Sequence, residues 1–189
     1  MILVSVCGAH SGVGKTTLAS ILLKRLEGFS AIKVTRTKLF SSIITDKELI
    51  RKSGKDSAVL KESGAETVVW VKSSYRDMKE TIPKALGIIR DYRGVIIEGN
   101  SPIEFCSPSL IIFVIDEMVN DIKKSGLKAL KKADIVVLNS NTTERAMEIK
   151  EKIKRLNDSA EIFTINLQTK TGEVDMMLLS VMSRLGVKV

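Results

Sequence analysis

The chain has 189 residues, with 30 Lys or Arg against 22 Asp or Glu, giving a formal charge of +8. No apolar run approaches the ~18–20 residues that span a bilayer, and two cysteines are too few for a disulfide framework. A membrane protein and a disulfide-stapled secreted scaffold are therefore excluded. The expectation is a single domain over residues 1–189, large enough to bury a core and housed in a reducing cytoplasm.

The first element, Ile2–Cys7, is an apolar, strand-like run that leads directly into Ala9-His10-Ser11-Gly12-Val13-Gly14-Lys15-Thr16. Leu18, Ile21, Leu22 and Leu26 then repeat at helical spacing until Gly28. A strand, a glycine-bearing loop and a helix opening with Lys-Thr make a phosphate-binding P-loop. Glycines at 12 and 14 permit positive φ and close backbone approach. The row of N–H groups opens onto a helix N-terminus, which favours an anion. Lys15 supplies a mobile charge for the β and γ oxygens, and the Thr16 hydroxyl suits Mg²⁺. Ser11, Gly12, Val13, Gly14, Lys15, Thr16 and Thr17 are thus the expected phosphate ligands. The strict pattern has glycine where this chain has Ala9, a minor departure.

Further along, β-branched runs alternate with helical patterns, the mark of a mostly parallel sheet covered on both faces. Strands are predicted at 2–7, 30–35, 67–72, 94–98, 109–115, 134–139 and 161–166. Helices are predicted at 15–27, 46–52, 56–63, 76–91, 119–132, 143–156 and 172–185, with Pro83 kinking or dividing the fourth. The fold class is α/β, a doubly wound P-loop domain of about seven strands, with ligands beyond the carboxyl ends of the strands.

Those strand ends carry the remaining chemistry. Val95-Ile96-Ile97-Glu98 delivers a carboxylate to the sheet edge, where it can hold Mg²⁺ directly or through water. Gly99 would let its N–H approach a terminal phosphate. Lys33 ends the second strand, placed to meet phosphate or an anionic substrate. Asp56 opens a short helix; spacing leaves open whether it caps that helix or serves as a second metal-linked carboxylate. Asn139-Ser140-Asn141 follows the sixth strand, where a base can be read. A guanine site of the Asn-Lys-x-Asp kind would need lysine at Ser140 and aspartate at Thr142, so only Asn139 fits. His10, the sole histidine, has no neighbours for a zinc site and either meets a phosphate or fills the loop. The lysines at 123, 124, 128, 131, 132, 150, 152 and 154 are interleaved with apolar or acidic positions, as solvated helix faces are. Few aromatics accompany them, so nucleic acid is not an expected partner.

Taken in order, Ala9–Thr17, Ala31-Ile32-Lys33-Val34, Gly54-Lys55-Asp56-Ser57 with Glu62-Ser63-Gly64-Ala65, and Ile97-Glu98-Gly99-Asn100-Ser101 form a pattern. It resembles the small GTP-binding proteins of molybdopterin-guanine dinucleotide biosynthesis, the MobB family, over roughly residues 1–140. The resemblance implies a SIMIBI-class P-loop fold, Mg²⁺-dependent binding of GTP or ATP, and a homodimer. Dethiobiotin-synthetase-like ligases share the same set of residues. Carried over, Thr16, Asp56 and Glu98 would surround Mg²⁺, Lys15, Asp56 and Glu98 would serve catalysis, and Lys33 would face a second substrate. The segment after the second strand lacks the histidine-rich stretch common in the molybdenum proteins. His10 also stands where ATPases of the ParA/MinD type carry lysine. Two functions remain in view: an accessory nucleotidase working with a cofactor-assembly protein, or an ATP-dependent kinase or ligase. The second needs a pocket for an anionic small molecule at 33–40 and 100–107.

Overall fold

A computed structural model describes residues 1–45, 48, 55–118, 122–141 and 143–187. The strands are β1 (Ile2–Gly8), β2 (Phe29–Arg36), β3 (Ser42–Ile44), β4 (Val68–Ser73), β5 (Gly94–Glu98), β6 (Leu110–Ile115), β7 (Ile135–Asn139), β8 (Glu161–Asn166) and β9 (Thr171–Gly172). The helices are α1 (Lys15–Leu23), α2 (Lys55–Glu62), α3 (Met78–Ile88), α4 (Lys124–Leu130), α5 (Thr143–Leu156) and α6 (Val174–Leu185), with a 3₁₀ turn at Ser101–Glu104.

The strands form one sheet in the order β3-β4-β2-β5-β1-β6-β7-β8-β9. The seven from β4 to β8 are parallel, and β3 and β9 close the edges as short antiparallel strands. The seven parallel strands are those expected from the sequence; the two edge strands were not. Successive residues of β1 pack on opposite faces. Val4 and Val6 join a cluster with Leu18 and Leu22 of α1, Leu60 of α2 and Met177 and Val181 of α6. Leu3 lies with Met78, Ile82 and Ala85 of α3, and Cys7 with Ala129 and Leu130 of α4 and Ile149 and Ile153 of α5. Helices therefore cover both faces, as doubly wound strands rich in Val and Ile require.

Two expectations change. α1 ends at Leu23, not 27, because the Arg25 N–H bonds the Leu22 carbonyl and tightens the last turn to 3₁₀ geometry. α3 runs unbroken through Pro83. Ile43 and Ile44 are half-buried in β3 against β4. The helix expected at 46–52 lies outside the described residues except at Glu48. No described helix is long and apolar enough to cross a membrane.

The sheet order reverses around β1: the chain moves out through β2 and β4, returns at β5, then crosses to β6. Ligand crevices form at such a reversal. The carboxyl ends of β1, β2, β5, β6 and β7 all open onto it.

Candidate functional site

The loop between β1 and α1 is fastened from several directions. Asn100, just past β5, accepts a hydrogen bond from the Gly8 N–H and donates one to the Gly8 carbonyl, both at 2.8 Å. The Ala9 N–H continues the ladder to the Val114 carbonyl of β6 at 2.9 Å, and the Ala9 carbonyl accepts from the Lys123 N–H at 3.2 Å. Helix α4 comes close here through Gly126; a Cβ there would lie 3.2 Å from both the Gly8 and Ala9 carbonyl oxygens. Ala9 is fully buried. Among described non-glycine residues only Lys170 has positive φ, so position 9 makes no conformational demand for glycine. Gly14 does: its φ is 109°, and a Cβ would sit 2.6 Å from Leu167 Cδ1.

His10 reaches across to the end of β6. Its Nε2 lies 3.0 Å from the Asp116 carboxylate at the end of β6, and its Nδ1 2.9 Å from the Ser11 carbonyl. The Ser11 carbonyl raises its pKa above the usual histidine value; burial opposes the rise, and Asp116 adds to it. His10 thus tethers the loop to the end of β6.

Lys15 folds back over the loop and donates to the His10 carbonyl at 2.7 Å. Burial pushes its pKa below the usual amine range, partly countered by Glu98. A lysine held in a shielded cradle is a strong attractor for phosphate oxygens, which replace the water it has lost.

The strand register sets the next contact. Lys33 of β2 stands directly opposite Glu98 of β5, and their side chains form a short ion pair. Glu98 is 2% exposed and also accepts from the Thr16 hydroxyl at 2.9 Å. Asp56, in the first turn of α2, reaches the same ammonium at 2.9 Å, and the Lys33 Nζ lies 3.5 Å from the Thr16 hydroxyl oxygen. Thr16, Asp56 and Glu98 therefore meet around one point, with the P-loop glycines and Thr17 lining the same hollow of about 230 Å³. Three hard oxygen donors about a common cation position fit the chemistry of Mg²⁺.

The Gly99 N–H, expected near a phosphate, instead donates to the Val6 carbonyl at 3.0 Å. Asn139 ends β7 in a two-way tie: it donates to the Val13 carbonyl at 3.3 Å and accepts from the Leu167 N–H at 3.0 Å. It borders a cavity of about 360 Å³ lined also by Asp116, Ser140, Asn141, Asn166 and Gln168. Position 142 of the guanine motif lies outside the described residues.

A larger cavity, about 670 Å³, adjoins the metal-type cluster on the β2 side. Lys33, Arg36, Lys38 and Lys123 line it, as do Asn100 and Ser101. Composition alone did not single out Arg36 or Lys38. Their spacing from Lys33 along the β2 exit was the available signal.

Cys7 is buried and Cys106 half-buried, and neither lines the cavities described. Burial pushes Cys7 up to about 12 and Cys106 to about 11, which leaves neither a nucleophile at neutral pH.

No family model matches the chain, and no curated protein does. Solved structures do. The hydrogenase maturation factor HypB from Archaeoglobus fulgidus is 17% identical, with 98% of this chain and 90% of that one covered at a TM-score of 0.68. HypB from Helicobacter pylori, in complex with nickel, is 13% identical with 98% and 87% covered at 0.64. An McdA variant from Cyanothece, in complex with ATP, is 13% identical with 100% and 98% covered at 0.56. At these identities the likeness shows the fold alone: the chain shares the α/β architecture of these three structures.

Proposed function

We propose that residues 1–189 act as one domain that binds a purine nucleoside triphosphate with Mg²⁺ and hydrolyses it slowly. The observation that carries this reading is the convergence of Lys15 and Thr16 from the P-loop with Glu98 from β5 and Asp56 from α2. In it, the N–H groups of 11–17 cradle the phosphates and Lys15 offsets charge on the β and γ oxygens. Thr16, Asp56 and Glu98 would hold Mg²⁺, which supplies further charge neutralisation to the phosphates when bound. Asn139 holds the P-loop against the loop after β8 and so shapes the base cavity. Catalysis of this kind is positioning plus electrostatics, and the chain's own groups are arranged for both.

The cellular role we infer is that of a cytoplasmic accessory protein in molybdopterin-guanine dinucleotide assembly, acting as a homodimer with a cofactor-biosynthesis protein. Its support is the order of motifs from Ala9 to Ser101. A second reading is favoured by one observation, the basic cavity at Lys33, Arg36, Lys38 and Lys123. It suits a small anionic acceptor, and with it an ATP-dependent kinase or dethiobiotin-synthetase-like ligase.

Calorimetric titration of ATP and GTP, each with and without Mg²⁺, tests both. Lys15→Ala is expected to abolish triphosphate binding; unchanged affinity would overturn the P-loop assignment. A GTP preference supports the molybdenum role. An ATP preference supports the transferase reading and directs the search to anionic acceptors.

A further inference from the structure

We propose that Lys33 is the built-in competitor of the divalent metal, so that the metal site opens only to a cation arriving with its nucleotide. The inference rests on the metal-dependent reading above. Its basis is that the Lys33 ammonium touches the very three side chains assigned to Mg²⁺. It pairs with Glu98, lies 2.9 Å from an Asp56 oxygen and 3.5 Å from the Thr16 hydroxyl.

Glu98 is almost fully buried, and a buried carboxylate requires a partner cation. Lys33 supplies the direct ion pair, with Lys15 acting on Glu98 through its charge, and the position of Lys33 is not accidental. The β2·β5 register sets Lys33 opposite Glu98, so the pair forms whenever the sheet forms. A divalent ion sharing those oxygens would stand within a few ångströms of the ammonium, and two cations at such range in a shielded site repel strongly. Lys33 and the metal therefore exclude one another. Alone, a metal ion must break this ion pair for three protein oxygens. With a triphosphate attached it brings phosphate oxygens as additional ligands, and the exchange becomes favourable.

The fold also gives Lys33 somewhere to go. Its side chain borders both the small phosphate hollow and the 670 Å³ cavity. A flexible four-carbon stem can carry the ammonium from one to the other without moving the strand.

The test uses Mn²⁺ as the probe on the nucleotide-free full chain, with free Mn²⁺ read by electron paramagnetic resonance. Lys33→Met is expected to bind Mn²⁺ about tenfold or more tightly than wild type, the effect of losing one charge-assisted contact. Adding Glu98→Gln should cancel the gain. Equal Mn²⁺ affinity in wild type and Lys33→Met overturns the proposal. Should Lys33→Met fail to fold, the wild-type chain serves after reductive ¹³C-methylation of its lysines. The Lys33 resonance, identified by its loss in Lys33→Arg, is expected to shift when nucleotide is added with Mg²⁺ but not with nucleotide alone. Its failure to shift would overturn the proposal equally. Calorimetry of Mg²⁺·nucleotide on wild type separates the two levels: binding without a Lys33 effect sinks only the competitor role, and no binding sinks the nucleotide reading itself.

Discussion

Asn100 makes the sharpest test of how the phosphate loop is held. Its amide grips the Gly8 peptide at both ends, with two hydrogen bonds of 2.8 Å. Asn100→Ala removes both and leaves a backbone N–H and C=O partly shielded from water. Two net contributions of about 1 kcal/mol each, with the added cost of imperfect solvation, give a loss of about 2–3 kcal/mol. For a chain of this length that is a fall of roughly 4–12 °C in melting temperature. Asn100→Asp separates the two bonds. The carboxylate still accepts from the Gly8 N–H but sets an anionic oxygen against the Gly8 carbonyl, unless it carries a proton to donate. The substituted acid thus has a raised pKa in the folded chain. Its stabilising effect is present below the ordinary carboxyl range and lost as pH rises through the folded value. Melting curves should therefore show Asn100→Asp near wild type in acid and near Asn100→Ala at neutral pH. Calorimetry should show nucleotide affinity reduced in both variants at pH 7. If Asn100→Ala melts within about 2 °C of wild type, near the lowest shift that one lost bond would cause, the loop is not held by this clamp.

The other expectations concern the same neighbourhood. Glu98→Gln should lower Mg²⁺-dependent turnover by about 100-fold or more while the chain keeps a cooperative melting transition; loss of that transition would make Glu98 a structural group instead. His10 has its pKa raised by the Ser11 carbonyl and Asp116, so its contribution to stability is full below the ordinary 6.5 and lost as pH rises through the folded value. As the only histidine it gives a single proton NMR titration curve. That curve should move down in Asp116→Asn, and a midpoint at or below 6.5 in wild type would refute the tether. Gly126→Ala adds about 1 kcal/mol of helix preference but presses a methyl group against the Gly8 and Ala9 carbonyls at 3.2 Å. Melting should change little while nucleotide affinity falls; unchanged affinity would show that α4 does not shape the loop.

What the sequence revealed and what it hid divide along range. The seven parallel strands were readable because each is a continuous β-branched run, and the P-loop because its chemistry sits within eight consecutive residues. β3 and β9 were not, being three and two residues long, too short for any periodicity. Glu98 and Asp56 could be named from their places at a strand end and a helix start. Their common partner Lys33 was placed facing a substrate, since only the register of β2 against β5 puts it opposite Glu98. Asn100 was visible as part of the motif after Glu98, but its grip on Gly8 spans 92 positions. The His10–Asp116 pair spans 106. Such contacts are products of the sheet order, and no local pattern encodes them.

The fastening of the P-loop also bears on rates. Gly8, Ala9, His10 and Val13 are tied to the ends of three strands, β5 through Asn100, β6 through Val114 and Asp116, and β7 through Asn139. A loop shaped before its ligand arrives has little ordering entropy left to lose on capture. Arrival of a nucleotide is then governed by diffusion and charge, and nucleotides differ in how long they stay. If the chain binds nucleotide as proposed, the residence of that ligand, and not its capture, would set how long the bound state lasts.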